Sequence, residues 1–141
     1  MKASDNTVLA LDAHGGDRGL DVSVPGALAA LEADQALSIV LVGNSDAIQQ
    51  QLDQNARGSA VDDRLSIHHA DTVIAMDAKP AAVLRRGRDS SMWKAFELVA
   101  EQHADACISG GNTAAMMVTG VKLLGMLHGI QRPALMAYVE N

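Results

Sequence analysis

A chain of 141 residues, 48% hydrophobic and 20% charged, is long enough to bury one core. Its formal charge of −6 repels polyanions, and its three aromatics (Trp93, Phe96, Tyr138) are too few for a base-stacking surface, so nucleic-acid binding is not expected. No uncharged apolar run reaches the ~18 to 20 residues that span a bilayer, residues 1–5 lack a signal peptide's apolar stretch, and the lone Cys107 has no second thiol for a disulfide or zinc-type spacing. A cytoplasmic protein is expected.

In chain order, residues 7–11 form a short apolar run closed by Asp12 and a Gly-rich turn, the pattern of a buried strand. Val24, Ala27, Leu28 and Leu31 then recur at i, i+3, i+4 and i+7, a helical stripe with Asp21 or Ser23 as cap candidates and Pro25 expected in its first turn. Residues 38–42, before Gly43 and Asn44, predict a second strand and residues 65–69 a third. His68 and His69 are adjacent there, so they point to opposite faces and cannot chelate one metal.

Arg85, Arg86 and Arg88 make a cationic spot on an acidic chain, either a solvated helix end or an anion contact. Met92, Ala95, Phe96, Val99 and Ala100 predict a helix opened by Asp89, Ser90 or Ser91. Residues 104–108 predict a fourth strand, with Cys107 as a small core residue rather than a nucleophile. The stretch 113–124 is apolar almost all round, which predicts a helix buried on most sides, and residues 134–139 predict a fifth strand. His103 and His128 fall at helix ends or in loops.

Strands alternating with helices imply βαβ units. The expected fold is a three-layer α/β/α, Rossmann-like domain spanning residues 1–141 around a mostly parallel sheet. Nothing follows the last predicted strand to cover its side of the sheet, which suggests either a piece of a longer protein or a C-terminal edge strand.

In such sheets ligands bind beyond the carboxyl ends of the strands. One loop there carries Asp12, His14, Gly15, Gly16 and Asp17, with glycines that admit close backbone approach between two carboxylates. The other carries Ser109, Gly110, Gly111, Asn112 and Thr113 and passes directly into a helix, whose free N–H groups and dipole make an anion site. Each loop also has a plainer reading, tight-turn glycines and a helix cap. Ser90 and Ser91 after the arginines and the Lys79-Pro80 dipeptide admit the same pair of readings, anion contact or cap. Neither loop fits the dinucleotide or P-loop fingerprint, so NAD and ATP are not indicated, and no metal or other cofactor is expected.

The Asp12 to Asp17 loop resembles the Asp-x-Met-Gly-Gly-Asp opening of the PlsX family, the acyl-ACP:phosphate acyltransferases also called fatty acid/phospholipid synthesis proteins. Leu41-Val42-Gly43, Lys79-Pro80 leading to Arg85-Arg86, Ser90-Ser91-Met92, the run from Ala104 to Thr113, and Gly129-Ile130 with Arg132-Pro133-Ala134-Leu135 recur in the family's order. His14 stands where the family usually has Met, Gly110 where it has Ala, and Ala114 where a Gly commonly follows. The chain's end, through Tyr138 and Val139, departs from a usual Leu-Pro. Family members are more than twice as long, and the likeness covers their N-terminal part.

The resemblance implies a fold like that of the isocitrate/isopropylmalate dehydrogenases. It also implies a homodimer, and a reaction in which inorganic phosphate attacks the thioester of acyl carrier protein to give acyl phosphate for phospholipid synthesis. It points to Ser109, Gly110, Gly111, Asn112 and Thr113 as the phosphate cradle and to Asp12, His14, Gly15, Gly16 and Asp17 as the facing wall. Lys79, Arg85, Ser90 and Ser91 would lend electrostatic support, and Asp12, Asp17 and Asn112 are the candidates for a catalytic role. Peripheral membrane association of the longer protein stays open. So do two alternatives: a non-catalytic anion-binding or dimerising fragment, and a coenzyme A-dependent phosphotransacylase on the same fold.

Overall fold

A computed structural model describes residues 6–55 and 63–139. Four strands, β1 (Thr7–Asp12), β2 (Leu37–Gly43), β3 (Leu65–His69) and β4 (Ala106–Ile108), form one all-parallel sheet in the order β3-β2-β1-β4. Helices α1 (Leu20–Ala33) and α2 (Ser45–Asn55) connect the first three strands. Between β3 and β4 the chain makes α3 (Pro80–Arg86), a 3₁₀ turn and α4 (Ser91–Ala100), and α5 (Thr113–Leu124) follows β4.

Alternation along the strands sorts the side chains onto two faces. Leu9, Leu11, Ile39, Leu41 and Leu65 pack with Val24, Ala27 and Leu31 of α1 and Ile48 and Leu52 of α2. Val8, Ala10, Val40 and Val42 face the other way, onto Ala95 and Leu98 of α4. Both faces are apolar and covered, as a parallel sheet requires, so the three-layer, Rossmann-like expectation holds. A smaller cluster of Val83, Met92, Phe96 and Ala115 joins α3, α4 and α5.

Several boundaries differ from the sequence pattern for identifiable reasons. Helix α1 starts at Leu20 behind Gly19, whose φ of 44° is a glycine conformation. Pro25 therefore falls inside the helix, beyond the first turn, and has no N–H to return to Asp21. Neither Asp21 nor Ser23 caps it; the Ser23 hydroxyl donates instead to the Ala13 carbonyl at 2.6 Å and ties α1 to the loop after β1. Strand β4 begins two residues late, because Asp105 pairs with Val8 through both its backbone N–H and its carboxylate, each at 2.8 Å.

Two expectations fail. Helix α5 buries only Ala115 and Thr119 fully and leaves Val121 and Leu124 exposed, because its main packing among the described elements is against α3 and α4. Residues 134–139 are not a strand: they run without ladder partners, with Leu135 68% and Met136 97% exposed. An apolar pattern records a demand for burial, which the described elements do not meet for these residues. Residues 1–5, read above for targeting, and residues 140–141 lie outside the described part.

Leu41, at the centre of β2 and wholly buried, tests this core. Leu41→Ala should lower stability by about 2 to 5 kcal/mol, read as a fall in the urea midpoint at unchanged slope.

Candidate functional site

The chain runs outward from β1 through β2 to β3, then returns to place β4 on the other side of β1. The strand order reverses between β1 and β4, and a crevice opens at such a switch point beyond the strands' carboxyl ends. Because Leu11 is in register with Ile108, the loops that follow leave the sheet side by side. These are the two Gly-rich loops singled out in the sequence.

They are joined by a short hydrogen bond. Ser109 Oγ donates to Asp12 Oδ2 at 2.6 Å and accepts from the Gly111 N–H at 3.1 Å. Asp12 is only 3% exposed, and its other oxygen, Oδ1, is buried without a hydrogen-bond partner. The glycines are there because the loops touch. A Cβ on Gly15 would lie 2.7 Å from both Asp12 Oδ2 and Ser109 Oγ, and one on Gly16, whose φ is 91°, would lie 3.0 Å from the Gly110 carbonyl oxygen.

His14 anchors the first loop to the neighbouring strand. Its ring lies against Gly43, and Nε2 accepts the Asn44 N–H at 3.0 Å, so that nitrogen must be unprotonated. Burial lowers the His14 pKa from its ordinary 6.5, with the negative charge of Asp12 opposing the shift.

The side chain of Asn112 does two jobs. Its Oδ1 accepts the Ala115 N–H at 3.0 Å as the cap of α5. Its Nδ2 faces the carbonyls of Ala75, Met76 and Ala78 at 3.3, 2.9 and 3.0 Å and so clamps the segment before α3. The side chain is thereby fully engaged. The backbone N–H groups of Thr113 and Ala114, in the first turn of α5, have no partner among the described residues, and both residues are exposed.

The remaining candidates are spread wider. Asp17 is exposed in the first loop. Lys79 is the N-cap of α3, directly after the Ala78 carbonyl that Asn112 holds, and is exposed beside this end of α5. Arg85 lies in the last turn of α3 with its Nε donating to the Ala81 carbonyl at 3.2 Å, a place where positive charge suits the helix dipole. Ser90 caps α4, accepting from the Trp93 N–H at 3.2 Å and donating to the Gly87 carbonyl at 2.5 Å, while Ser91 is wholly buried with its hydroxyl unpartnered. Cys107 packs against α4 and α5, and burial, aided by Asp12, pushes its thiol up to about 11, which suits a core residue rather than a nucleophile.

Sequence reasoning found both loops but missed what holds them. The Asp12 to Ser109 bond, the seating of His14 on Gly43 and the packing of the Met92 methyl against Gly111 depend on which strands are neighbours. Past the loop after β4, an apolar groove of about 580 Å³ runs along α5 between Pro80, Leu84, Ala114, Met117, Val118 and Val121. Among the described residues no cluster of His, Cys, Asp and Glu could hold a metal ion, and no helix is long and apolar enough to cross a membrane.

Residues 7–140 match the family model described as fatty acid synthesis protein. The chain belongs to that family. It is 48% identical over 132 residues to a phosphate acyltransferase of Vibrio atlanticus, covering 94% of this chain and 38% of that protein. It is 43% identical over 138 residues to one of Alkalilimnicola ehrlichii, covering 98% of this chain and 40% of that protein. For one of Dichelobacter nodosus the identity is 41% over 139 residues, covering 99% and 39%. The chain thus spans about two fifths of the length of the curated relatives it matches.

Asn112→Asp keeps a good capping oxygen but turns a carboxylate onto three carbonyls, so it should destabilise by more than Asn112→Ala, whose cost should be about 1 to 3 kcal/mol, as read by chemical denaturation. His14, whose folded pKa is depressed, contributes stability that is fully present above pH 6.5 and is lost as pH falls toward the folded value. The His14→Met variant should therefore lose less stability than wild type between pH 7 and pH 5, measured as the difference between the two denaturation-midpoint profiles.

Proposed function

We propose that the protein carrying this chain forms acyl phosphate from acyl carrier protein thioester and inorganic phosphate. The observation that carries this reading is the meeting of the two glycine loops over Asp12 at the switch point, beside unpaired N–H groups of α5, in a chain of this family. Phosphate is already a competent nucleophile, so the protein's task is to anchor it and to stabilise the tetrahedral oxyanion. One phosphate oxygen attacks the thioester carbonyl carbon, a C–O bond forms, the C–S bond breaks, and the thiolate leaves and takes a proton.

In this reading the cradle is Ser109, Gly110, Gly111, Asn112 and Thr113, with the N–H groups of Thr113 and Ala114 as donors and Asn112 holding the turn rather than touching the anion. Asp12, His14, Gly15, Gly16 and Asp17 form the facing wall, and Lys79 supplies positive charge nearby. The acyl carrier protein, a second copy of the chain in a homodimer, and parts of the enzyme outside these 141 residues complete the site. The apolar groove along α5 begins at Ala114 and offers a surface compatible with an acyl group next to the anion.

The test uses the protein carrying this chain with acyl carrier protein thioester as donor, following thiol release and trapping acyl phosphate with hydroxylamine. Thiol release should require phosphate, and acyl-coenzyme A should be the poorer donor; release without phosphate dependence would sink the reading. Thr113→Pro offers a local check, because proline at the first helical position removes one N–H without breaking the helix. It should raise KM for phosphate by roughly 10- to 100-fold, the worth of one hydrogen bond to a charged group, with stability retained.

A further inference from the structure

We infer that the Asp12–Ser109 pair selects a protonated oxyanion, so that the cradle accepts hydrogen phosphate and rejects sulfate. This rests on the phosphate-binding reading of the two loops. A serine hydroxyl has one proton and two lone pairs. The Ser109 proton is directed to Asp12 Oδ2 at 2.6 Å, and one lone pair receives the Gly111 N–H at 3.1 Å. What Ser109 has left for a ligand is a lone pair, so it meets the ligand as an acceptor.

The proton cannot readily be redirected. Asp12 is 3% exposed, its Oδ1 has no partner, and Ser109 is the one side-chain donor that reaches it among the described residues. Turning the hydroxyl toward a ligand would leave a buried carboxylate with neither oxygen satisfied, a costly state. Two glycines flank this oxygen. A Cβ on Gly15 would lie 2.7 Å from Ser109 Oγ, and one on Gly111 would lie 3.1 Å from it.

The cradle therefore has two chemically distinct corners. The N–H groups at the start of α5 receive ionised oxygens, and Ser109 over Asp12 receives an oxygen that still carries hydrogen. At neutral pH phosphate and arsenate bring such a hydrogen and sulfate does not. An ionised sulfate oxygen would face the Ser109 lone pair with the Asp12 carboxylate just beneath it.

The experiment titrates inorganic phosphate, arsenate and sulfate separately into the protein carrying this chain, by calorimetry at pH 7 and constant ionic strength. Phosphate and arsenate should bind alike and sulfate on the order of 30-fold more weakly, the scale of one buried acceptor left facing an acceptor. In Asp12→Asn the new amide can donate to Ser109 Oγ and free its proton to turn outward, so sulfate should gain at least about tenfold relative to phosphate. Ser109→Ala, checked for folding by circular dichroism, should bring the two anions toward equal affinity and serves if Asp12→Asn does not fold. Sulfate binding wild type within about threefold of phosphate would overturn the inference while leaving the phosphate-site reading in place. Binding of none of the three anions would overturn both.

Discussion

One hydrogen bond across the seam between β1 and β4 sets the geometry of this end of the sheet. Asp12 and Ser109 are 97 residues apart in sequence, and parallel pairing brings their strands into register. A carboxylate this deeply buried is costly unless it is bonded, so the Ser109 hydroxyl is held where Asp12 needs it. With that hydroxyl fixed, the Gly111 N–H follows it and the turn into α5 takes its shape. The glycines at 15, 16 and 111 are the steric consequence of two backbones closing over one carboxylate.

The other strand ends are joined in the same manner. His14 accepts the Asn44 N–H and binds the loop after β1 to the end of β2, while His69 at the end of β3 accepts the Ser45 N–H at 3.2 Å. All four strands are thus linked at their carboxyl ends by a side chain meeting backbone or a second side chain. A site assembled from the ends of separate strands gains from such links, because donors held in place need no reorganisation when an anion arrives. His14 shows how its position can take a ring: a neutral imidazole fits the apolar seat on Gly43 and supplies the acceptor that Asn44 uses.

Much of this was legible in the sequence, and the rest was hidden for physical reasons. The four strands, the stripe of α4 with Ser90 as its cap and the two glycine loops follow from periodicity and local chemistry. Pro25 misled the placement of α1, because Gly19 allowed an earlier start and Ser23 found a partner in Ala13. The all-round apolar character of α5 reads the same whether its partners are packed against it or not, and residues 134–139 carry strand composition without a strand to pair with. The bond between Asp12 and Ser109 is invisible to local reading, since it depends on β4 returning beside β1 rather than extending past β3.

The polar side chains of the second loop are used mostly to shape backbone. Asn112 gives its oxygen to the cap of α5 and its amide to three carbonyls before α3. Ser109 gives its proton to Asp12 and accepts the Gly111 N–H. What the loop has left to offer an anion is peptide N–H at the start of a helix and one serine lone pair. Peptide N–H groups carry no side-chain entropy to lose and do not titrate, so in the proposed phosphate site a cradle built from them would hold its charge complementarity across pH and leave selectivity to the single hydroxyl whose direction Asp12 fixes.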